Sequence, residues 1–215
     1  MDKRKNLSLK TLALAGLLLT SAAWGQDAQQ ALTRVEQHYN APRTLQLRFQ
    51  QTFRAAGRPA RTENGILYLR KPGKMRWEYR YPEGKLFVAD GDWVYLYDPA
   101  QKQAERSKLK GSDDLRAPLA FLMGRLDFRR DFQGFSAKAD GDQMHIRCTP
   151  RSAQSPYRSV EFWVSPQSRL TRVAVAGQDA SLMSFVFEDE VTNPPVADGL
   201  FKFTAPAGVA IVTVE

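Results

Sequence analysis

Two histidines, His38 and His145, one cysteine, Cys148, and the acidic run Glu188-Asp189-Glu190 are the residues of this 215-residue chain whose types first suggest reaction chemistry. Their spacing does not assemble any. A zinc protease places two histidines one helical turn apart with a glutamate between them, and a serine hydrolase sets its nucleophile in GxSxG. Phosphate and dinucleotide sites need a Walker loop or GxGxxG, and the chain contains none of these patterns. Carboxylates adjacent in sequence are not thereby paired across a cleft, as acid-base catalysis requires. Neither a nucleophile-base-orienter set nor a metal or cofactor site is expected. Cys148 ends the alternating run Met144-His145-Ile146-Arg147-Cys148 and reads as a small buried strand residue. As the lone cysteine it rules out an internal disulfide and a cysteine-based metal site.

What the residues do offer is chemistry of burial. Met75, Trp77, Tyr79 and Tyr81 alternate with Arg76, Glu78 and Arg80, which in a strand puts an aromatic and sulfur-rich stripe on one face and charges on the other. Two readings stay open. The stripe is either the core of a barrel or sandwich, or the wall of a pocket for an apolar ligand.

The elements that would position this stripe are mostly strands. Ala28, Ala31, Leu32, Val35 and Tyr39 share one face of a helix stopped at Asn40 and Pro42. Leu45, Leu47 and Phe49 then begin a half-buried strand that runs to Phe53. Further strand signals cover residues 65–69, 75–81, 85–89, 93–97, 143–148, 160–164, 170–175 and 182–187. Turn residues such as Pro72-Gly73, Asp90-Gly91-Asp92 and Asp140-Gly141-Asp142 separate them, so a large antiparallel meander is expected. The segment 111–125 breaks the rhythm. Leu115, Leu119, Leu122 and Leu126 recur at helical spacing with Pro118 near a first turn, and Phe121 and Met123 make the helix apolar nearly all round.

Composition bounds the rest. With 43% apolar and 25% charged residues the chain has the make-up of a folded globular protein, and one domain over 26–215 is expected. Residues 1–25 read as a secretory signal peptide: Lys3, Arg4, Lys5 and Lys10, then an apolar stretch from Thr11 to Leu19, then Ala23-Trp24-Gly25. No cysteine follows that cleavage site, so an exported, unanchored periplasmic protein is expected. Without four basic residues and one acid the balance is 27 to 22, or +5, spread with alternating sign. Nucleic-acid binding lacks its basic stripe, although attraction to an anionic membrane surface fits.

The run Gly65-Ile-Leu-Tyr-Leu-Arg-Lys-Pro-Gly-Lys-Met-Arg-Trp-Glu-Tyr79 continues through Tyr81-Pro82, Phe87-Val-Ala-Asp-Gly91, Trp93 and Tyr97-Asp-Pro99. It resembles the outer-membrane lipoprotein carrier family (LolA). The early Phe49-Gln50-Gln51, the Ala117-Pro-Leu-Ala-Phe-Leu122 helix and the closing Phe201-Lys-Phe-Thr-Ala-Pro-Ala-Gly-Val209 follow the family's order along nearly all of residues 26–212. The resemblance implies a mainly β fold with short helices (α+β): a curved, incomplete antiparallel barrel closed by a helical lid over a hydrophobic cavity. It also implies a monomeric periplasmic carrier that takes lipoproteins from an inner-membrane ABC-type releasing complex and delivers them to an outer-membrane receptor.

Carried over residue by residue, Met75 and Trp77 match cavity-facing sheet residues, with Leu67 and Leu69 as neighbours, and Leu119, Phe121 and Leu122 match the lid helix. Each could equally be fixed core. Val88, Ile146, Phe162 and Phe185 are left as wall or core. Lys71 stands where the family usually has an arginine that holds the lid closed. A lysine has no planar fork of donors, so closure here is expected to be weaker or to use other contacts. Arg70 should point to the opposite face. A carrier of free lipids on the same fold, and an interaction module with a solid interior, remain as alternatives.

Overall fold

The computed structural model describes residues 19–109 and 126–214, with side chains from residue 28. The first element is helix α1, Leu19–Asn40. Six strands follow: β1 Thr44–Arg54, β2 Arg61–Arg70, β3 Lys74–Tyr81, β4 Leu86–Ala89, β5 Trp93–Asp98 and β6 Gln103–Lys108. After a single-turn helix, α2 Phe128–Asp131, come β7 Phe132–Asp140, β8 Gln143–Pro150, β9 Tyr157–Val164, β10 Leu170–Gly177, β11 Leu182–Thr192 and β12 Ala210–Thr213. The segment 111–125, read as a helix, lies outside the described residues.

The twelve strands of the described residues form one sheet in the order β12-β6-β5-β4-β3-β2-β1-β11-β10-β9-β8-β7. It consists of two antiparallel meanders joined where β1 pairs with β11, and only β12 runs parallel to its neighbour, β6. The ends β12 and β7 are not paired with each other, so the sheet is open. It is also strongly bent. Three inter-strand steps separate β3 from β11, about 14 Å in a flat sheet. Yet the rings of Trp77 on β3 and Phe185 on β11 have centroids 5.2 Å apart. The incomplete barrel expected from the sequence is therefore present.

Alternation sorts the residues between the faces. Leu45, Leu47 and Phe49 of β1, Leu67 and Leu69 of β2, and Met75, Trp77 and Tyr79 of β3 are all buried in one cluster. It extends through Phe185 and Phe187 of β11 to Val173, Phe162 and Ile146 on the other half of the sheet. The five residues of the expected helical face, Ala28, Ala31, Leu32, Val35 and Tyr39, are all buried, and α1 packs on β7 and β8. All five lie after residue 25, although the helix itself begins at Leu19.

The outer face has a small core of its own. On β4, Phe87 and Ala89 turn inward, and Val88 points the other way, where it is fully buried apart from the main cluster. The closing segment crosses this face. Arg70 donates to the Val196 carbonyl and pairs with Asp198, its guanidinium lying over Phe201, and Arg76 donates to the Leu200 carbonyl at 3.2 Å. Phe203 stacks on Tyr95 with centroids 5.1 Å apart. Arg70 thus sits on the outer side, as strand alternation required.

Candidate functional site

The four residues expected to form a cavity wall are brought together by register. Leu67 pairs with Trp77 and Leu69 with Met75 across β2 and β3, a two-by-two patch on the inner face. Leu47 and Leu45 extend it on β1, and Phe87 and Ala89 on β4. Rings converge on its centre: Trp77 meets Phe49 at 4.5 Å and 71° as well as Phe185. Such edge-to-face pairs add to the stabilisation from area alone. The four wall residues are 0 to 2% exposed, so in this conformation they are packed, not open to solvent.

One glycine makes this register feasible. A Cβ on Gly65 would stand 2.0 Å from the Glu78 carbonyl oxygen, where the β2–β3 pairing slips between Asn64 and Gly65. Only a residue without a side chain lets β3 approach there. Tyr81, expected on the stripe, instead lies past this slip at the sheet's end and is 66% exposed.

The patch ends in a polar lattice that the sequence reading missed. Tyr79 donates to the Gln51 Oε1 at 3.0 Å, Gln51 Nε2 donates to Glu63 at 3.3 Å, and Lys85 Nζ bridges both Glu63 oxygens at 2.7 Å. The available signal was phase. Gln51 and Glu63 occupy inward positions of β1 and β2, where their neighbours Phe49 and Leu67 are apolar. Beyond the lattice opens a cleft of about 730 Å³ lined by Phe53, Tyr81, Leu96 and Met183 together with Arg61, Glu63 and Lys85. None of the four wall residues lines it.

The other half of the inner face is clasped by α1. Asn40 Nδ2 donates to the Leu126 carbonyl at 2.9 Å, and the Leu126 N–H donates back to Asn40 Oδ1 at 2.7 Å. The Phe128 N–H donates to Glu36 at 2.8 Å. The Glu190 side chain is 6% exposed, accepts from the Tyr39 hydroxyl at 2.7 Å and sits 2.6 Å from His38 Nε2, while the Tyr39 phenol oxygen accepts from the Leu170 N–H. Burial first, and then the Glu190 charge, push the Tyr39 phenol well above its ordinary value. Glu188 and Asp189 pair with Arg48 outside, Asp189 at φ 51 in a bulge between β1 and β11. The acidic run is thus spent on fastening the helix and the sheet.

His145 lies 2.7 Å from Glu161 and stacks on Trp163, partners different from those of His38. Among the described residues no three metal-binding side chains gather. Cys148 is fully buried on β8, and burial followed by the Glu161 charge pushes its thiol up to about 12.

Lys71 follows β2, and its ammonium donates to the Tyr39 carbonyl, one of the last in α1. A cation at a helix C-terminus meets carbonyls that lack intrahelical partners and the negative end of the dipole. Partial burial lowers the Lys71 pKa. Leu119, Phe121 and Leu122 lie outside the described residues, but the chain on either side, Leu109 and Leu126, packs on the inner cluster.

Comparison with known proteins gives a consistent picture. The family model described as Outer membrane lipoprotein carrier protein LolA matches residues 40–204. The outer-membrane lipoprotein carrier protein of Pasteurella multocida is 25% identical over 207 residues, covering 96% of each chain. That of Dechloromonas aromatica is 28% identical over 171 residues, 79% of this chain and 81% of its own. Among solved structures, a conserved protein of Thermus thermophilus superposes with a TM-score of 0.50 at 17% identity over 88% of this chain and all of its own, a likeness of fold.

Proposed function

This chain belongs to the outer membrane lipoprotein carrier protein LolA family, and from that premise we propose that it shelters lipoprotein acyl chains across the periplasm. The family is one of non-catalytic carriers, so the chain is not an enzyme. Among the described residues no helix is long and apolar enough to cross a membrane. On this reading cargo comes from an inner-membrane ABC-type releasing complex and passes to an outer-membrane receptor, and the carrier works as a monomer.

The observation that carries the proposal is the contiguous apolar patch of Leu67, Leu69, Met75 and Trp77, flanked by Leu47, Phe49 and Phe87 with no charged side chain among them. Burying a methylene is worth about 0.8 kcal/mol, so a chain of about 16 carbons in water is disfavoured by about 12 kcal/mol. A bent sheet with an open edge can admit such a chain by loosening contacts that are apolar and undirected. Met75 suits this because its thioether repacks at small cost.

Leu119, Phe121 and Leu122 form the lid on this reading, supported by the packing of Leu109 and Leu126 on the inner cluster at either end of their segment. Lys71, by holding the end of α1, acts in closure through the helix. A folded Leu119→Glu protein should lose cargo uptake, because a charge would enter an apolar contact. Normal uptake by that variant would remove the lid assignment.

The near-complete burial of the wall residues favours one rival, a module with a solid interior. Residues 26–215 added to spheroplasts that make labelled lipoproteins separate the two. The carrier releases acylated lipoprotein into the soluble fraction as a one-to-one complex, above buffer and an unrelated periplasmic protein. A folded protein that releases none contradicts the proposal, and binding of free lipid without release would reassign the cargo.

A further inference from the structure

The indole Nε1–H of Trp77, on a side chain that is 0% exposed, has no hydrogen-bond partner among the described residues. Buried donors in folded proteins are nearly always satisfied, and an orphan retains its full desolvation penalty. Among the described residues, the side chains paired with it or in ring contact with it carry no oxygen. Cross-strand neighbours are Leu67 and Phe87, and the adjoining rings are Phe49 and Phe185. The polar side chains of the same face, Tyr79 and Gln51, are already engaged with each other. The edge-to-face contact with Phe49 provides at most a weak N–H···π interaction.

A lone donor in a dry apolar wall selects among lipid head groups. A carboxylate would bring an uncompensated charge, and a hydroxyl would bring a second donor with nothing to receive it. A carbonyl brings only an acceptor. Resting on the carrier reading, we infer that Trp77 Nε1–H hydrogen-bonds the ester carbonyl at the head of a bound acyl chain. The site thereby favours acyl esters over carbonyl-free chains of equal length. One neutral hydrogen bond shifts affinity by about threefold to tenfold, enough to orient the cargo without trapping it.

The test uses residues 26–215 and two probes of matched length, the methyl ester of pyrene-labelled hexadecanoic acid and pyrene-labelled hexadecane, followed by pyrene emission. Trp77→Phe keeps an aromatic ring in the wall and removes the N–H. The ratio of ester to hydrocarbon affinity should fall by about fivefold from wild type to variant. The smaller ring also leaves a cavity, so the melting temperature should fall, and the affinity ratio carries the test. Infrared spectra of carbonyl-¹³C ester on wild-type protein should show a hydrogen-bonded carbonyl stretch, a readout that does not depend on the variant folding. An unchanged ratio in folded Trp77→Phe, or a free carbonyl stretch in wild type, overturns the inference and leaves the N–H to the Phe49 ring. Failure of folded wild type to bind either probe overturns the carrier reading and the inference with it.

Discussion

Apart from the Gln51–Glu63–Lys85 lattice at one margin, the inner face is apolar, yet its two halves are covered differently. Over β7 and β8 the cover is α1, held in place by directed polar contacts: Asn40 with both backbone groups of Leu126, Glu36 with Phe128, and Tyr39 and His38 with Glu190. Over β2 and β3 the described link to α1 is the Lys71 ammonium on the Tyr39 carbonyl, at the margin of the patch. Burial alone does not distinguish the halves, since Phe162 and Trp77 are both fully buried. Direction of contact does. Hydrogen bonds hold one geometry and lose their value when it changes, whereas apolar contacts can be traded for an acyl chain at little net change. On the proposed function the clasped half serves as structure, and the half that is unclasped among the described residues would be where exchange occurs.

The largest expected effect falls on the clasped half. Phe162 packs edge-on against Phe128 at 5.1 Å and Phe132 at 5.7 Å, so Phe162→Ala should open a cavity that α1 cannot collapse. Denaturant unfolding should show a loss of about 3–5 kcal/mol. A much smaller loss would place adaptable packing there too and erase the contrast.

Cys148 probes the same half by pH. Its folded thiol is pushed up to about 12 against 9.0 for an unperturbed thiol, so the unfolded chain surrenders the proton first. The neutral thiol's contribution is complete below pH 9 and declines from there toward 12. The stability of wild type relative to Cys148→Ala should therefore be flat from neutrality and fall by about 2–3 kcal/mol near pH 11. A difference that stays flat to pH 11 would mean that water reaches β8 in the folded state.

Smaller effects test the clasps. Asn40→Ala strands the N–H and carbonyl of Leu126 and should cost about 1–2 kcal/mol, with faster amide exchange at residues 126–129. Unchanged exchange would show that Asn40 does not hold that segment. Smallest is Lys71→Met, about 1 kcal/mol, with Lys71→Arg close to wild type because a cation still reaches the helix end. Equal losses in both variants would show that the ammonium's charge and donors are not what matters.

Much of this architecture was legible because burial leaves a period. The helix face from Ala28 to Tyr39 and the alternation on β1, β2 and β3 each follow from one buried side, and the same alternation predicted the opposite orientations of Arg70 and the wall residues. Three strands left no such trace. β6 buries only Ala104, β7 only Phe132, and β12 no residue at all. They are strands because a neighbour supplies backbone partners, which is a property of the partner. At the candidate site the apolar patch was readable from Met75 and Trp77, and the Gln51–Glu63–Lys85 lattice was not, since pairing β1, β2 and the start of β4 requires the register. Val88, left as wall or core, is core, but of the outer face, and nothing local shows that the C-terminal segment returns to cover that face.

The contrast between the halves can be read directly in a complex of deuterated residues 26–215, with protonated ¹³C-methyl groups on Met and Ile, and a palmitoylated lipopeptide with protonated acyl chains. Intermolecular NOEs should connect the acyl protons to the Met75 methyl on β3 and leave the Ile146 methyl on β8 without any. Acyl contacts at Ile146, or a bound lipopeptide with none at Met75, would contradict the assignment of exchange to the unclasped half.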